Sequence, residues 1–231
     1  MLLGAARAAK GFMPDDEGLA LAVLAERAAM AGHLCVIEIG AYCGRSTLYL
    51  ASGLARAMAS VSGSAVVFSV DHHHGSEENQ PGWEHHDETL VDASTGRIDT
   101  LPHWRRAIES AGAGDIAVAV VGESATVAAR WQGAAGLVFI DGGHGEVPAL
   151  ADYTGWSPHV APGGWLAIHD VFPNPDDGGR PPYEIYLRAL TSGEFTEEPS
   201  AGTGSLRVLR RVVEPAESRS SPHGSEAPTN S

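Results

Sequence analysis

The sequence predicts an α/β protein built on a mostly parallel sheet with helices on both faces, ended by an antiparallel hairpin. Three observations carry this. Short apolar runs of strand length alternate with helix-length stretches from residue 34 to residue 190. The first run, 35–39, passes through the glycine-containing turn 40–44 into a helical stretch at 46–58, a strand–turn–helix unit. Near the C-terminus, Ser205-Leu-Arg-Val-Leu-Arg-Arg-Val212 alternates apolar and polar residues after a glycine-rich turn, the pattern of a half-buried strand.

Each element has its own signal. After Pro14, residues 15–31 open with Asp15 and Asp16 and carry Leu19, Leu21, Val23 and Leu24 on a helix-like apolar face, which predicts a leading helix. Further strands are expected at 65–70, 116–121, 137–140 and 165–168, with helical stretches at 124–131 and 181–190. The hairpin occupies 194–213, completing a single domain over 1–213. Residues 214–231 turn to Ser, Pro, Glu, Gly and Asn, which bury too little apolar area to offset chain entropy, so this tail is expected to be disordered. Residues 72–102 interrupt the alternation with His, Asp, Glu, Gly and Trp, and are read as a lid-like insertion.

Composition excludes several classes. The longest apolar stretches, such as 136–140 and 19–24, fall far short of the roughly 20 residues that span a bilayer. No membrane association is expected. Residues 1–10 lack the order of a signal peptide, which predicts a cytoplasmic protein. Cys35 and Cys43 supply neither a disulfide framework nor a CxxC metal pair. A formal charge of -14 opposes nucleic acid and favours a neutral or cationic small acceptor.

The segment Glu38-Ile-Gly40-Ala41-Tyr42-Cys-Gly44-Arg-Ser46-Thr47 places glycines where a buried strand turns into a helix and backbone can approach a ligand. It resembles the first motif of class I S-adenosylmethionine methyltransferases, acidic residue-x-Gly-x-Gly-x-Gly, with Tyr42 where the middle glycine stands. That resemblance implies a Rossmann-like seven-stranded sheet with S-adenosylmethionine against Glu38, Gly40, Ala41, Tyr42, Gly44 and Ser46. It also implies Asp71, with His72 beside it, as the ribose carboxylate ending the second strand. Glu123 and Ser124, after the third, fall where the family contacts adenine, and Asp141 also faces the cofactor. An NAD-binding oxidoreductase is the nearest competitor, because an acid ending strand two also suits a nicotinamide nucleotide, but its GxGxxG spacing is absent. Taken alone, Glu38 can cap the helix and the glycines can merely turn the chain.

Two later strand ends carry ligand-type side chains, Asp141-Gly-Gly-His144 and His169-Asp170. They resemble the small-molecule O-methyltransferases that include the macrocin and mycinamicin enzymes, over most of residues 34–191. In that family an acid ending strand four and an acidic pair ending strand five hold a divalent metal, and a histidine three residues after the first acid is the base. The resemblance therefore implies Asp141 and His144 as catalytic residues, with Asp141, His169 and Asp170 as metal ligands. His169 stands where the family has an acid. Magnesium is the implied ion, with manganese or another transition metal as alternatives because imidazole is a softer ligand. Without a metal, Asp141 orders the cofactor loop, His144 caps the next helix and His169-Asp170 bonds nearby backbone.

The insertion carries His72, His73, His74, Glu77, Glu78, Trp83, Glu84, His85, His86 and Asp87. Trp83 suits stacking on a sugar face while imidazoles and carboxylates bond hydroxyls, so His72, His73, Trp83 and His144, with Tyr183, are candidate contacts to a sugar or oligosaccharide acceptor. The alternatives are a solvated acidic loop or a second, adventitious metal site. The histidine-rich insertion is similar to that of enzymes of methylmannose polysaccharide biosynthesis. A catechol-type O-methyltransferase and a non-catalytic S-adenosylmethionine-binding protein stay open as further readings. Homodimers are common in the resembled family, although no pattern here specifies a contact.

Overall fold

The computed structural model describes residues 1–83, 85–174, 177 and 179–213. The tail expected at 214–231, and Glu84 of the insertion, lie outside the described residues. The strands are β1 (Cys35–Ile39), β2 (Val66–Asp71), β3 (Val91–Asp92), β4 (Arg97–Ile98), β5 (Ala117–Val121), β6 (Ala135–Ile140), β7 (Val160–Ile168), β8 (Phe195–Glu197) and β9 (Arg207–Arg211). Seven of them form one sheet in the order β5-β2-β1-β6-β7-β9-β8. From β5 to β7 all pairs are parallel, and β9 runs antiparallel to both β7 and β8. The Rossmann-like sheet with a terminal antiparallel hairpin is as the sequence predicts.

Alternation along the strands divides the core into two layers. Val36, Val67, Leu137, Phe139 and Ala167 face helices α1 (Leu2–Ala8), α2 (Asp15–Met30), α3 (Arg45–Ala57) and α4 (Leu101–Ala111). Ile37, Ile39, Val138, Ile140, Leu166 and Ile168 face α5 (Ser124–Ala128), α6 (Glu146–Trp156) and α7 (Pro181–Thr191). β6 is buried at every residue, the continuous apolar run of a central parallel strand.

Several elements differ from expectation. The insertion is not one open loop: it holds short 3-10 turns at Glu77–Asn79 and Glu88–Leu90 and the β3–β4 hairpin, and its end merges into α4. α4 bears signals of its own, Pro102 in its first turn, Trp104 and Ile108 buried on one face, and a left-handed Gly112 at its end. α1 and α6 are additional helices. α6 sets Ala149, Tyr153 and Trp156 toward the sheet at helical spacing. β7 starts at Val160 rather than 165, across a register shift against β6.

The chain leaves β1 toward β2 and β5, then returns to β6 on the other side of β1. This reversal is a topological switch point, beyond whose carboxyl strand ends a crevice opens.

Two glycines separate packing from propensity. A Cβ on Gly53 of α3 would lie 1.9 Å from the Ala22 carbonyl oxygen of α2, whereas one on Gly4 of α1 meets nothing within 4 Å. Alanine gains about 1 kcal/mol of helix propensity at either site. Overpacking costs about 1–3 kcal/mol or more at Gly53. Urea unfolding is therefore expected to find Gly53→Ala destabilised and Gly4→Ala stabilised by about 0.5–1 kcal/mol.

Candidate active site

The loop after β1 is fixed by backbone bonds and left-handed turns. Gly40, Tyr42 and Gly44 have φ values of 83°, 45° and 93°. A Cβ on Gly40 would lie 2.0 Å from the Asp141 carbonyl oxygen, so only glycine lets the ends of β1 and β6 meet this closely. Asp71 holds the loop from the other side. Its Oδ2 accepts the Ala41 and Tyr42 amides, each at 2.9 Å, and its Oδ1 accepts the His73 amide at 2.6 Å. A carboxylate has about four acceptor positions, so one is left for a ligand hydroxyl.

A cleft of about 1040 Å³ runs over the carboxyl ends of the parallel strands. Toward β2 and β5 it is lined by Asp71, His72, Glu123 and Ser124, and at β1 by Gly40, Ala41, Tyr42 and Ser46. Toward β6 and β7 it is lined by Asp141, His144, His169 and Asp170.

Four candidates sit elsewhere. Glu38 is fully buried beneath the loop, where its Oε2 accepts Thr47 Oγ1 at 2.5 Å and Ser69 Oγ at 2.6 Å. Gly44 caps α3 and packs toward Trp104. His73, in a left-handed turn with φ 63°, is buried with Nδ1 2.8 Å from Thr100 Oγ1, so it braces the insertion against its exit instead of facing the cleft. Tyr183 packs with Arg180 and Tyr186 on α7, outside the cleft lining.

On the β6–β7 side, side chains far apart in sequence converge. His169 Nδ1 lies 2.9 Å from Asp141 Oδ1 and 3.2 Å from Asp170 Oδ2, and its Nε2 donates to Glu17 Oε2 on α2. His144 Nε2 lies 3.0 Å from Asp170 Oδ2, and its Nδ1 lies 3.1 Å from Glu78 Oε1 in the insertion. Hydrogen bonding to Asp170 raises the His144 pKa to about 9, in spite of burial. Burial opposes charge on His169 too, but Asp141, Asp170 and Glu17 overcome it and raise its pKa well above the ordinary value. Burial raises Asp141, whereas at Asp170 the two imidazoles outweigh burial and hold it below the usual carboxylate range. Among the described residues, Asp141, His169 and Asp170 form the group able to hold a metal ion, with ligand atoms within 4.8 Å of one another; the insertion's histidines form no such group.

The insertion is fastened across the cleft. Lys10 pairs with Asp87 and bonds Thr89 Oγ1 at 3.0 Å, and the Phe12 ring lies 4.8 Å from His85 and 5.4 Å from Tyr42. Phe12 and Trp83 line the cleft while 60% and 59% exposed.

A family model described as a methyltransferase domain matches residues 37–171, more than half of the chain. The chain belongs to this methyltransferase family. The match spans the loop after β1 and the Asp141, His144, His169 and Asp170 cluster, and it decides against the oxidoreductase alternative. Solved structures of similar fold include cofactor-bound Rv0187 from MTB, 16% identical with a TM-score of 0.63, covering 92% of this chain and 88% of that one. The O-methyltransferase TomG from Streptomyces achromogenes, involved in tomaymycin synthesis and solved with SAM, is 15% identical at a TM-score of 0.60, with coverage of 92% and 89%. An O-methyltransferase from Bacillus cereus in complex with SAH is 16% identical at 0.59, with coverage of 91% and 87%.

The site also includes contacts that the sequence did not reveal: the pairing of Glu78, already named in the insertion, with His144, and the residues Glu17 and Asp152. Glu17 and Glu78 join it from α2 and the insertion. Asp152 of α6 lines the cleft, with its pKa raised to about 6 by burial, against the Ser124 hydroxyl that favours its charge. Only Glu17 has a clear local signal, an acid sharing a helix face with buried Leu21 and Leu24.

Glu38 yields a pH prediction for this methyltransferase. Burial raises its pKa from 4.5 to about 7, so the folded state binds a proton that the unfolded state has released, and stability falls as pH rises through that window. Relative to Glu38→Gln, the wild type is expected to lose about 3 kcal/mol between pH 4.5 and 7, and no more above it. Urea titrations at four pH values measure this difference; a difference that stays constant contradicts it.

Proposed function

We propose that this methyltransferase moves a methyl group from S-adenosylmethionine to a hydroxyl of a sugar or related polyol, assisted by a divalent cation and with His144 as general base. The observation that carries the reading is one continuous cleft joining Asp71 and Ser124 to the cluster of His144, Asp141, His169 and Asp170. Its 1040 Å³ reaches the top of the usual range for small-molecule sites, about 300–1,000 Å³, enough for a nucleoside cofactor together with an acceptor.

When bound, S-adenosylmethionine supplies an electrophilic methyl group on a sulfonium. Asp71 retains an acceptor position for a ribose hydroxyl, and Glu123 and Ser124 border the space where adenine would lie. Gly40, Ala41, Tyr42 and Ser46 form the floor at the switch point.

The donor set of two carboxylates and one imidazole fits a divalent cation, manganese as readily as magnesium, because it mixes nitrogen with oxygen. Such an ion supplies Lewis acidity that makes an acceptor hydroxyl easier to deprotonate. His144 is the residue to take that proton. Glu78 at Nδ1 orients the ring so that Nε2 faces Asp170 and the cluster. The largest cause of the raised His144 pKa is its bond to Asp170, so committing Asp170 to a cation lowers the proton affinity of His144 toward the range useful in a base.

The acceptor side is formed by the insertion, residues 72–102 acting as a lid over the single domain 1–213. Exposed Trp83 and Phe12 offer faces for a sugar ring, with His72 and His85 as hydrogen-bonding groups. Glu77, Glu78, Asp141, Asp152, Asp170 and Asp177 line the same cleft and favour a neutral or cationic acceptor. A mannoside of the methylmannose polysaccharide type meets these demands. A catechol presents vicinal oxygens to the same cluster and is the second acceptor class. The reading also carries over a cytoplasmic location and the homodimer that the resemblance implies.

Methyl transfer to mannosides and to catechols, followed with labelled S-adenosylmethionine, tests the acceptor. Mannoside turnover is expected; turnover of catechols alone would contradict the sugar reading. His144→Ala is expected to lower kcat by about 10²–10⁴-fold while S-adenosylhomocysteine affinity is kept. Chelation with EDTA is expected to abolish turnover, and manganese or magnesium to restore it. Full turnover in EDTA would remove the cation from the mechanism.

A further inference from the structure

His169 occupies a position where a carboxylate would offer oxygen to a cation in any orientation. An imidazole is more demanding, because it coordinates only through a nitrogen that has given up its proton, while the other nitrogen keeps one. Which nitrogen does so depends on the partner of the other. In this structure Nδ1 faces Asp141 Oδ1 and Asp170 Oδ2, at 2.9 and 3.2 Å, and Nε2 points the opposite way, to Glu17.

Glu17 is itself held rigidly. It is 3% exposed, and its Oε1 accepts the Ser205 amide at 2.5 Å and the Ser205 hydroxyl at 3.1 Å. A Cβ on Gly204 would lie 2.1 Å from Oε1, so the neighbouring backbone closes directly over the carboxylate. Ser205 is tied in turn to the β7 end, its carbonyl accepting the Val171 amide at 3.0 Å. Burying an acid on the apolar face of α2 is a poor way to gain stability, since a buried ion pair often does no better than apolar side chains of similar volume. Its placement instead matches the outer half of a carboxylate–histidine–metal relay, in which the outer carboxylate fixes ring orientation and tautomer.

We infer that Glu17 is a positioning residue that retains the Nε2 proton of His169 and so makes His169 a ligand, through Nδ1, for a divalent cation shared with Asp141 and Asp170. This rests on the cation-assisted reading above. It accounts for histidine at this position: the imidazole comes with an acid supplied from α2, 152 residues away in the chain.

Calorimetric titration of the full-length protein with manganese chloride, without acceptor, tests the inference in the wild type, Glu17→Gln, His169→Asp and the double variant. Glu17→Gln is expected to weaken manganese binding about 10–100-fold. In the His169→Asp background the same change is expected to alter affinity by less than about 3-fold, since a carboxylate ligand has no tautomer to fix. A merely structural Glu17 would lower the melting temperature of Glu17→Gln without moving its manganese affinity, which overturns the inference alone. Equal losses in both backgrounds also overturn it. If Glu17→Gln does not fold, His169→Asp against the double variant decides, with equal affinities expected and a 10-fold loss contradicting the inference. Failure of the wild type to bind manganese would remove the cation reading and this inference together.

Discussion

The contact between Gly40 and the Asp141 backbone is the constraint on which the site depends. At the switch point the chain turns away from the sheet on both strands, and the Asp141 amide bonds the Ile39 carbonyl at 2.8 Å to extend the β1–β6 pairing to its last possible residue. No side chain fits between the strand ends, so the loop over β1 and the acid at the end of β6 are held in one piece. Asp71 fastens the same loop from β2 through two of its amides. The floor of the cleft is therefore made of backbone locked by backbone and one carboxylate.

Charge organises the other half. Asp141, Asp170, Glu17 and Glu78 surround two imidazoles, and each ring uses both of its nitrogens toward carboxylates. Burial penalises charge on both imidazoles and on Asp170, yet pairing raises both histidines and lowers Asp170, so electrostatic attraction wins over desolvation there. At Asp141 burial wins. On the proposed reading, a cation bound here would compete with the imidazoles for the same oxygens.

Legibility in the sequence followed the range of the interactions. β1 and the strands near it were readable because central parallel strands are continuous apolar runs, and the strand-end residues Asp71, Asp141, His169 and Asp170 could be placed from them. The bounds of β6 and β7 were less so, since a register shift around Gly136 and Pro162 breaks the run. α4 begins where the polar insertion ends and received no reading from the sequence, although Trp104 and Ile108 mark its buried face. Glu38 and His73 carry polar side chains that local pattern cannot orient, and the structure turns both inward. Glu78 and Glu17 meet their histidines 66 and 152 residues away, separations that no local spacing reveals.

The most direct test of the account is calorimetric titration of the purified protein with S-adenosylhomocysteine, with NAD as the control ligand. Micromolar binding of S-adenosylhomocysteine, about -8 kcal/mol, and no binding of NAD are expected. Silence toward S-adenosylhomocysteine, or binding of NAD in its place, would contradict it.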